Sequence, residues 1–326
     1  MNRAITIHST GMYVPKRVLT NHDLEQMVET TDAWIRERTG IRERRIAAPD
    51  ETASMMGAAA ARQALENGGL RAEEIDAIIC ATCTADTVFP STACHIQRLV
   101  GAHRAFAFDI QAACSGFLYG MEVARGLIES GTARNVLLVG AEKLSGIVNW
   151  KDRNTCVLFG DGAGAAVLKE GEGRGIAASI LGADGTQNEI LYLNGAVVAS
   201  PFGPTVENVP TPCIVMEGRE VYKKAVTAMN ESAVACLEKA GVKAEDLACV
   251  IPHQANLRII ESVAQRLKIG MERVYVNLDR YGNTSAACIP IAIHEASAEG
   301  RIKRGDWVLL VAFGGGLTWS SVLVQY

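Results

Sequence analysis

Short apolar runs rich in β-branched residues alternate along this chain with alanine-rich stretches whose apolar positions recur at helical spacing. IDAIICAT (75–82), RAFAFDIQAA (104–113) and NVLLVGAE (135–142) have the length and composition of buried strands. Between and before them, ETASMMGAAAARQALENGG (51–69), PSTACHIQRLVG (90–101) and CSGFLYGMEVARGLIESG (114–131) read as helices, the second opening on Pro-Ser and the others closing on glycine. The order recurs further on. GREVYKKAVTAMNESAVACLEKAG, NLRIIESVAQRLKI and TSAACIPIAIHEASAEG predict helices, and LACVIPH, RVYVNL and WVLLVAF predict strands. Strands alternating with helices in this way predict an α/β body with a parallel-rich sheet layered by helices. The stretch 180–215 contains several prolines and no clear period, and predicts loop and edge structure.

The second half repeats the first. ALENGGLRAEEIDAII at 64–79 aligns with CLEKAGVKAEDLACVI at 236–251, an offset of 172 residues, and the same offset carries VLLVG (136–140) onto VLLVA (308–312). Two matches at one spacing indicate a duplicated unit. Related strands follow each copy, FGDGAGAAVLK at 159–169 and FGGGLTWSSVLVQ at 313–325. No linker-like segment separates the halves, so residues 1–175 and 176–326 are expected to pack as one body about a pseudo-twofold axis.

Composition narrows the function. The apolar fraction is 48%, charged residues are 21% and mean hydropathy is +0.12, which is a globular composition. Thirty-two basic against thirty-six acidic residues give a net charge of -4 and a pI near 5.9, against sequence-wide capture of nucleic acid. The opening MNRAITIHSTGMYVPKRVLT lacks a signal-peptide pattern and no apolar run reaches membrane-spanning length, so a cytoplasmic protein is expected. Nine scattered cysteines, mostly within apolar runs, read as reduced thiols.

Three positions stand out as chemistry. Cys114 follows a strand and opens a small-residue helix, where the helix dipole lowers a thiol pKa and a tight turn exposes a nucleophile; the alternative is a core cysteine. His253 lies where an apolar strand gives way to a helix, the place where open α/β sheets put ligand-binding and catalytic groups, or it is a satisfied loop histidine. Asn283, before Thr-Ser, is ordinarily a turn residue or helix cap. The repeat ties these together. Ala286 is the 172-residue equivalent of Cys114, so the turns with Cys114 and Asn283 face each other across the pseudo-twofold axis, with His253 on an adjacent strand end. GDGAG (160–164) precedes a strand-like run and not the helix that a dinucleotide site requires. FGGG (313–316) sits between two strands and can present a main-chain N–H to an oxyanion. Cys80-x-x-Cys83 has no second pair and predicts no metal site.

AACSGF around Cys114, IPHQANLRII around His253, DRYGNTSAA around Asn283, FGDGAGAAVL and AFGGGLTWSSVLV closely resemble the β-ketoacyl-acyl-carrier-protein synthase III family, as do TTDAWIRERTGIRERRIA (30–47) and DTVFPSTACHIQ (86–97). The resemblance runs the whole chain in order. It implies the duplicated, five-layered αβαβα thiolase-like fold and a condensing enzyme that starts fatty-acid synthesis. Such an enzyme transfers an acyl group from acyl-CoA to Cys114, then condenses it with malonyl-acyl carrier protein, with loss of CO2. By residue, it implies His253 and Asn283 as the pair supporting decarboxylation, and the amides of Cys114 and Gly315 as the oxyanion hole. Trp34, Arg38 and Arg153 match positions gripping the nucleotide end of coenzyme A, and Ala255 and Asn256 match the pantetheine channel. Lys223, Arg258 and Arg266 match a basic patch for the acidic carrier protein, with Gln265 standing where the family has a further lysine. Phe89 matches a residue reaching into a partner subunit's acyl pocket, which implies a homodimer. No cofactor or metal is implied beyond the coenzyme A thioester as substrate. Elongation-type condensing enzymes use two histidines; after His253 the only histidine is His294, mid-helix, so the initiation type is implied. A sister synthase priming polyketide or alkylquinolone pathways, a cysteine hydrolase and a non-catalytic binding module are the competing readings.

Overall fold

The computed structural model describes residues 4–193 and 211–326. Two large sheets divide the chain. The first has the order Ala4–Tyr13, Gly162–Gly171, Asn135–Glu142, Ala77–Ala81, Phe106–Ile110; the second runs Ile176–Ala183, Thr318–Gln325, Trp307–Gly314, Leu247–Pro252. Position by position the second order copies the first, without a fifth strand. Both sheets are mixed, not predominantly parallel. Ala77–Ala81 is parallel to both its neighbours and Leu247–Pro252 is parallel to Trp307–Gly314, whereas the remaining pairs are antiparallel. For the last two strands the reason is connection length: only Gly315–Leu317 join them, and so short a link permits only a hairpin.

The predicted strand RVYVNL (273–278) is reduced to a single parallel bridge between Val250 and Val274. The Gln254 side chain takes the place of a strand partner, donating to the Tyr275 carbonyl at 3.1 Å and accepting from the Asn277 amide at 2.9 Å. Of the predicted loop 180–215, residues 180–183 complete a strand, and Leu191–Leu193 pairs with Ile214–Met216. Its residues 194–210 lie outside the described residues.

Helices form three layers around the sheets. Ala53–Gly68 and Thr92–Val100 cover the outer face of the first sheet, and Gly218–Ala240 and Leu257–Leu267 cover that of the second. Gly116–Glu129 and Cys288–Ala298 lie between the sheets and share one core with both, through Phe117, Leu118, Met121, Ile289 and Ile293. Each such side chain is fully buried and contributes roughly 1.5–3 kcal/mol. The result is the layered thiolase-type αβαβα fold. No helix among the described residues is long and apolar enough to cross a membrane.

The repeat extends to backbone detail. The 3₁₀ turns Ala113–Ser115 and Ser285–Ala287 are 172 residues apart, and their first residues have φ of 46° and 48°. Those are left-handed values that non-glycine residues rarely adopt. Both turns face the middle of the molecule, each just before a central helix. Close approach is possible because of glycine: a Cβ on Gly140 would lie 2.3 Å from the Ala286 carbonyl oxygen, and one on Gly314 would lie 2.6 Å from the Cys114 amide nitrogen.

Candidate active site

A cavity of about 920 Å³ opens between the halves and reaches the two 3₁₀ turns. Cys114, His253, Asn283 and Gly315 all line it. Cys114 occupies the centre of the 3₁₀ turn that precedes the Gly116–Glu129 helix, not the helix's own first turn. That helix begins without an acidic residue in its first turn and without a side-chain cap, so its N-terminal amides are left to act on whatever lies ahead of them. The expected thiolate is not the resting state, however. Burial pushes the Cys114 thiol up to about 12, outweighing a hydrogen bond with the Ser285 side chain, with nearby Glu142 pushing it the same way.

His253 continues the Leu247–Pro252 strand, its amide donating to the Val311 carbonyl at 2.7 Å. It is buried, and burial lowers its pKa to about 4, so the ring is neutral at pH 7. Its Nδ1 lies 2.8 Å from the Cys288 sulfur. Burial raises the Cys288 pKa far above neutral, so that group is a thiol with an S–H to give to Nδ1, an arrangement that leaves the ring proton on Nε2.

Asn283 is both a turn residue and a cavity wall. Its main chain bonds to Leu158 and Gly160, and its Oδ1 accepts from the Ser285 amide at 2.8 Å. Bound through Oδ1, the amide group keeps its NH₂ for a ligand. Gly315 follows the Trp307–Gly314 strand, whose last residue abuts the Cys114 amide, and lines the same cavity.

The entrance is basic despite the negative net charge. Trp34 is flanked by two guanidinium groups, Arg38 at 5.1 Å and Arg153 at 4.9 Å from its ring centre. Trp34, Arg38, Lys223, Ala255, Asn256 and Arg258 line the same cavity as Cys114. Three of the expected residues do not. Arg153 reaches the entrance only by stacking on Trp34 and otherwise donates to the Glu29 carbonyl. Arg266 is exposed near the end of the Leu257–Leu267 helix. Phe89 is 84% exposed beside Val88, away from the cavity of its own chain. Asn256 caps the Leu257–Leu267 helix, and its side chain also donates to the Arg38 carbonyl at 3.0 Å, so both its polar atoms are engaged in structure.

Four residues at the site were not among the expected site residues: Cys83, read in the sequence only as half of the Cys80-x-x-Cys83 pair, and Glu142, Ser285 and Cys288. Cys83 and Ser285 line the cavity, Glu142 is fully buried behind them, and Cys288 holds His253. The repeat offered a signal for one. Ser285 is 172 residues from Ala113, the neighbour of the candidate nucleophile. GDGAG is strand backbone from Gly162 onward, and among the described residues none of the cysteines forms a disulfide and no group of side chains could hold a metal.

Comparison with known proteins points one way. The family models described as 3-oxoacyl-[acyl-carrier-protein (ACP)] synthase III and its C-terminal part match residues 108–185 and 237–326. The β-ketoacyl-[acyl-carrier-protein] synthase III of Roseiflexus sp. strain RS-1 is 54% identical over 317 residues, 97% of this chain and 96% of that protein. The crystal structure of 3-oxoacyl-[acyl-carrier-protein] synthase III from Aquifex aeolicus superposes with a TM-score of 0.91 at 52% identity, covering 99% of this chain and all of that one. The priming β-ketosynthase of the R1128 polyketide pathway gives 0.92 at 37% identity, covering 99% and 96%.

Proposed function

Because the chain belongs to the β-ketoacyl-[acyl-carrier-protein] synthase III family, we propose that Cys114, His253 and Asn283 carry out its two half-reactions on acyl-CoA and malonyl-acyl carrier protein. Supporting this is the convergence of these three residues and Gly315 on one cavity whose mouth holds Trp34 between two arginines. The aromatic ring suits stacking on a nucleotide base and the guanidinium groups suit its phosphates. The enzyme is a cytoplasmic homodimer in this reading, with Phe89 directed at the partner's pocket and the halves meeting at residues 175 and 176.

In the first half-reaction the Cys114 sulfur attacks the thioester carbonyl of acyl-CoA. The tetrahedral oxyanion is held by the Cys114 and Gly315 amides, donors of a kind that contribute about 2.7–4 kcal/mol each. Coenzyme A leaves and the acyl group stays on Cys114. In the second, malonyl-acyl carrier protein enters through the same channel. Its carboxylate departs as CO2, and the charge left on the thioester oxygen as an enolate is stabilised by Nε2–H of neutral His253 and the NH₂ of Asn283. The enolate carbon attacks the acyl-cysteine, giving 3-oxoacyl carrier protein and free Cys114. All of these steps are assigned to this chain's own residues and its two thioester substrates.

Intact-mass measurement after mixing with a panel of acyl-CoAs tests the first half-reaction. One added acyl group per chain, lost again on adding malonyl-acyl carrier protein, is expected. No mass gain with any acyl-CoA overturns the reading.

The carrier protein is acidic in this proposal, so the basic residues should select it. Arg258 is exposed and its nearest carboxylate, Glu37, is 3.8 Å away. Arg258→Glu is expected to raise KM for malonyl-acyl carrier protein several-fold, and added salt to do the same to the parent enzyme, because exposed charges are screened within about 10 Å at 0.1 M. The rate of acyl transfer from acyl-CoA should move much less. Equal losses with both substrates would point to damage at the Leu257–Leu267 helix.

A further inference from the structure

We propose that Ser285 is a catalytic hydroxyl that takes the proton from Cys114 during acyl loading and passes it to Glu142. The inference deepens the proposed function and rests on acyl transfer to Cys114. It starts from an unused carboxylate. Glu142 ends the Asn135–Glu142 strand fully buried, and none of its hydrogen-bond partners is a cation. Both its oxygens accept from the Cys83 amide at 3.1 Å, and it accepts from the Thr84 and Thr82 hydroxyls at 2.7 and 3.3 Å. The neighbouring Lys143 turns away to the carbonyls of Ala48, Pro49 and Glu51. A salt bridge is therefore not what holds this carboxyl in the core.

Ser285 supplies the link. It stands in the left-handed region at φ 48°, where its amide is tied to Asn283 Oδ1. The Ser285–Ala287 turn is pressed against the Asn135–Glu142 strand at Gly140, and it also packs on the Ala113–Ser115 turn. From there its hydroxyl stands between the Cys114 thiol and the Glu142 carboxyl and influences both, placed for its oxygen to accept the Cys114 S–H and its single O–H to donate to Glu142. Its pseudo-twofold equivalent, Ala113, has no hydroxyl. The second half of the duplication thus contributes a group aimed at the first half's cysteine.

The resting Cys114 thiol needs a proton acceptor. His253 is a poor one, with its pKa lowered to about 4 and its Nδ1 held by Cys288. Burial pushes the Glu142 carboxyl up to about 7 even with its donors in place, which matches a base working near neutral pH. The ionisable groups facing it are the Cys83 and Cys114 thiols, with Cys80, Asp86 and Asp109 the next ones around the Ala77–Ala81 strand. All of these are acids, so none neutralises the carboxylate.

The step balances without any further reactant. As the Cys114 sulfur bonds to the thioester carbon, its proton moves to the Ser285 oxygen and the Ser285 proton moves to Glu142. When the tetrahedral intermediate collapses, the carbon–sulfur bond to coenzyme A breaks. Both sulfurs were bonded to the same carbon, so the proton returns from Glu142 through Ser285 to the departing sulfur. Coenzyme A leaves as its thiol and Glu142 is again a carboxylate.

Single-turnover acylation followed by intact mass, from about pH 5.5 to 9, tests this in the full-length protein. The parent rate is expected to climb through a transition near pH 7 and then level off, since the carboxylate form is the acceptor. Ser285→Gly suits the left-handed backbone and so removes the hydroxyl without opposing the fold. It should slow acylation about a hundredfold and abolish the transition, the range typical of losing a general base. Glu142→Gln, acting through Ser285, should lose the same pH dependence. Release of CO2 from malonyl-acyl carrier protein, measured on Ser285→Gly already carrying its acyl group, should lose less than acyl loading does, since the relay acts before that step. A parent rate that is flat across pH 7, or a glycine variant that acylates at near the parent rate, overturns the relay and leaves the proposed function standing. Parallel loss of acylation, CO2 release and melting temperature in Ser285→Gly also overturns it, in favour of a purely structural serine. A parent enzyme that never gains acyl mass overturns the functional reading itself.

Discussion

Cys114→Ser is expected to gain no acyl mass from acyl-CoA on the timescale that loads the parent enzyme, a loss on the order of a thousandfold or more, as removal of an activated nucleophile brings elsewhere. The site explains why so conservative a change is so severe. Burial already opposes ionisation of the Cys114 thiol, holding it near 12, and only the Ser285 hydrogen bond and the Cys114 amide favour the anion. A hydroxyl is a far weaker acid than a thiol to begin with, and the same burial penalises an alkoxide at least as strongly. Neutral His253 cannot compensate, because a ring whose pKa is lowered to about 4 is a poor base at neutral pH, each unit of pKa being worth about 1.4 kcal/mol. The measurement is intact mass against time with acyl-CoA, beside the melting temperature of each variant. A serine variant loaded at near the parent rate would show that Cys114 is not the acceptor.

Much of this arrangement can be read without coordinates, because a duplication constrains two places at once. The 172-residue offset relates strands Asn135–Glu142 and Trp307–Gly314, the glycine caps Gly69 and Gly241 at φ 61° and 67°, and the two 3₁₀ turns. Apolar runs bounded by glycine locate the central helices for the ordinary reason that fully buried elements are apolar all round. What remains illegible is what depends on side chains replacing backbone. RVYVNL has strand composition, yet the amide of Gln254 takes up its main-chain groups. The pKa of Cys114 is a balance between a helix terminus, which sequence shows, and desolvation, which it does not. Glu142 looks like any polar residue closing a strand, and its isolation from cations appears only once Lys143 is seen to point elsewhere. Phe89 belongs to a different class. Its expected role lies in another subunit, and in one chain it is simply an exposed aromatic ring.

His253→Ala and Asn283→Ala are expected to separate the two half-reactions. Acyl loading develops its charge on the thioester oxygen beside the Cys114 and Gly315 amides, so both variants should still gain acyl mass, more slowly at most. Decarboxylation develops charge that does not exist in the ground state, and donors aimed at it act only then. Each variant should therefore lose on the order of a hundredfold or more in CO2 release from malonyl-acyl carrier protein, as removal of one such donor does. The double variant should lose far less than the product of the two, since groups that hold one oxygen together are not additive. The pH dependence follows from the lowered His253 pKa. The ring is neutral in the folded protein above about pH 4, so its contribution to CO2 release should stay level from pH 5 to 8 and fade only on acidification through that value. This sets it apart from acyl loading, for which the Glu142 relay predicts a transition near pH 7. Labelled-CO2 release measured beside intact-mass acylation, for the two single variants and the double, decides the matter. If Asn283→Ala decarboxylates normally but cannot be loaded, its bond to the Ser285 amide is its whole contribution, and Asn283 serves the Cys114 turn instead of the enolate.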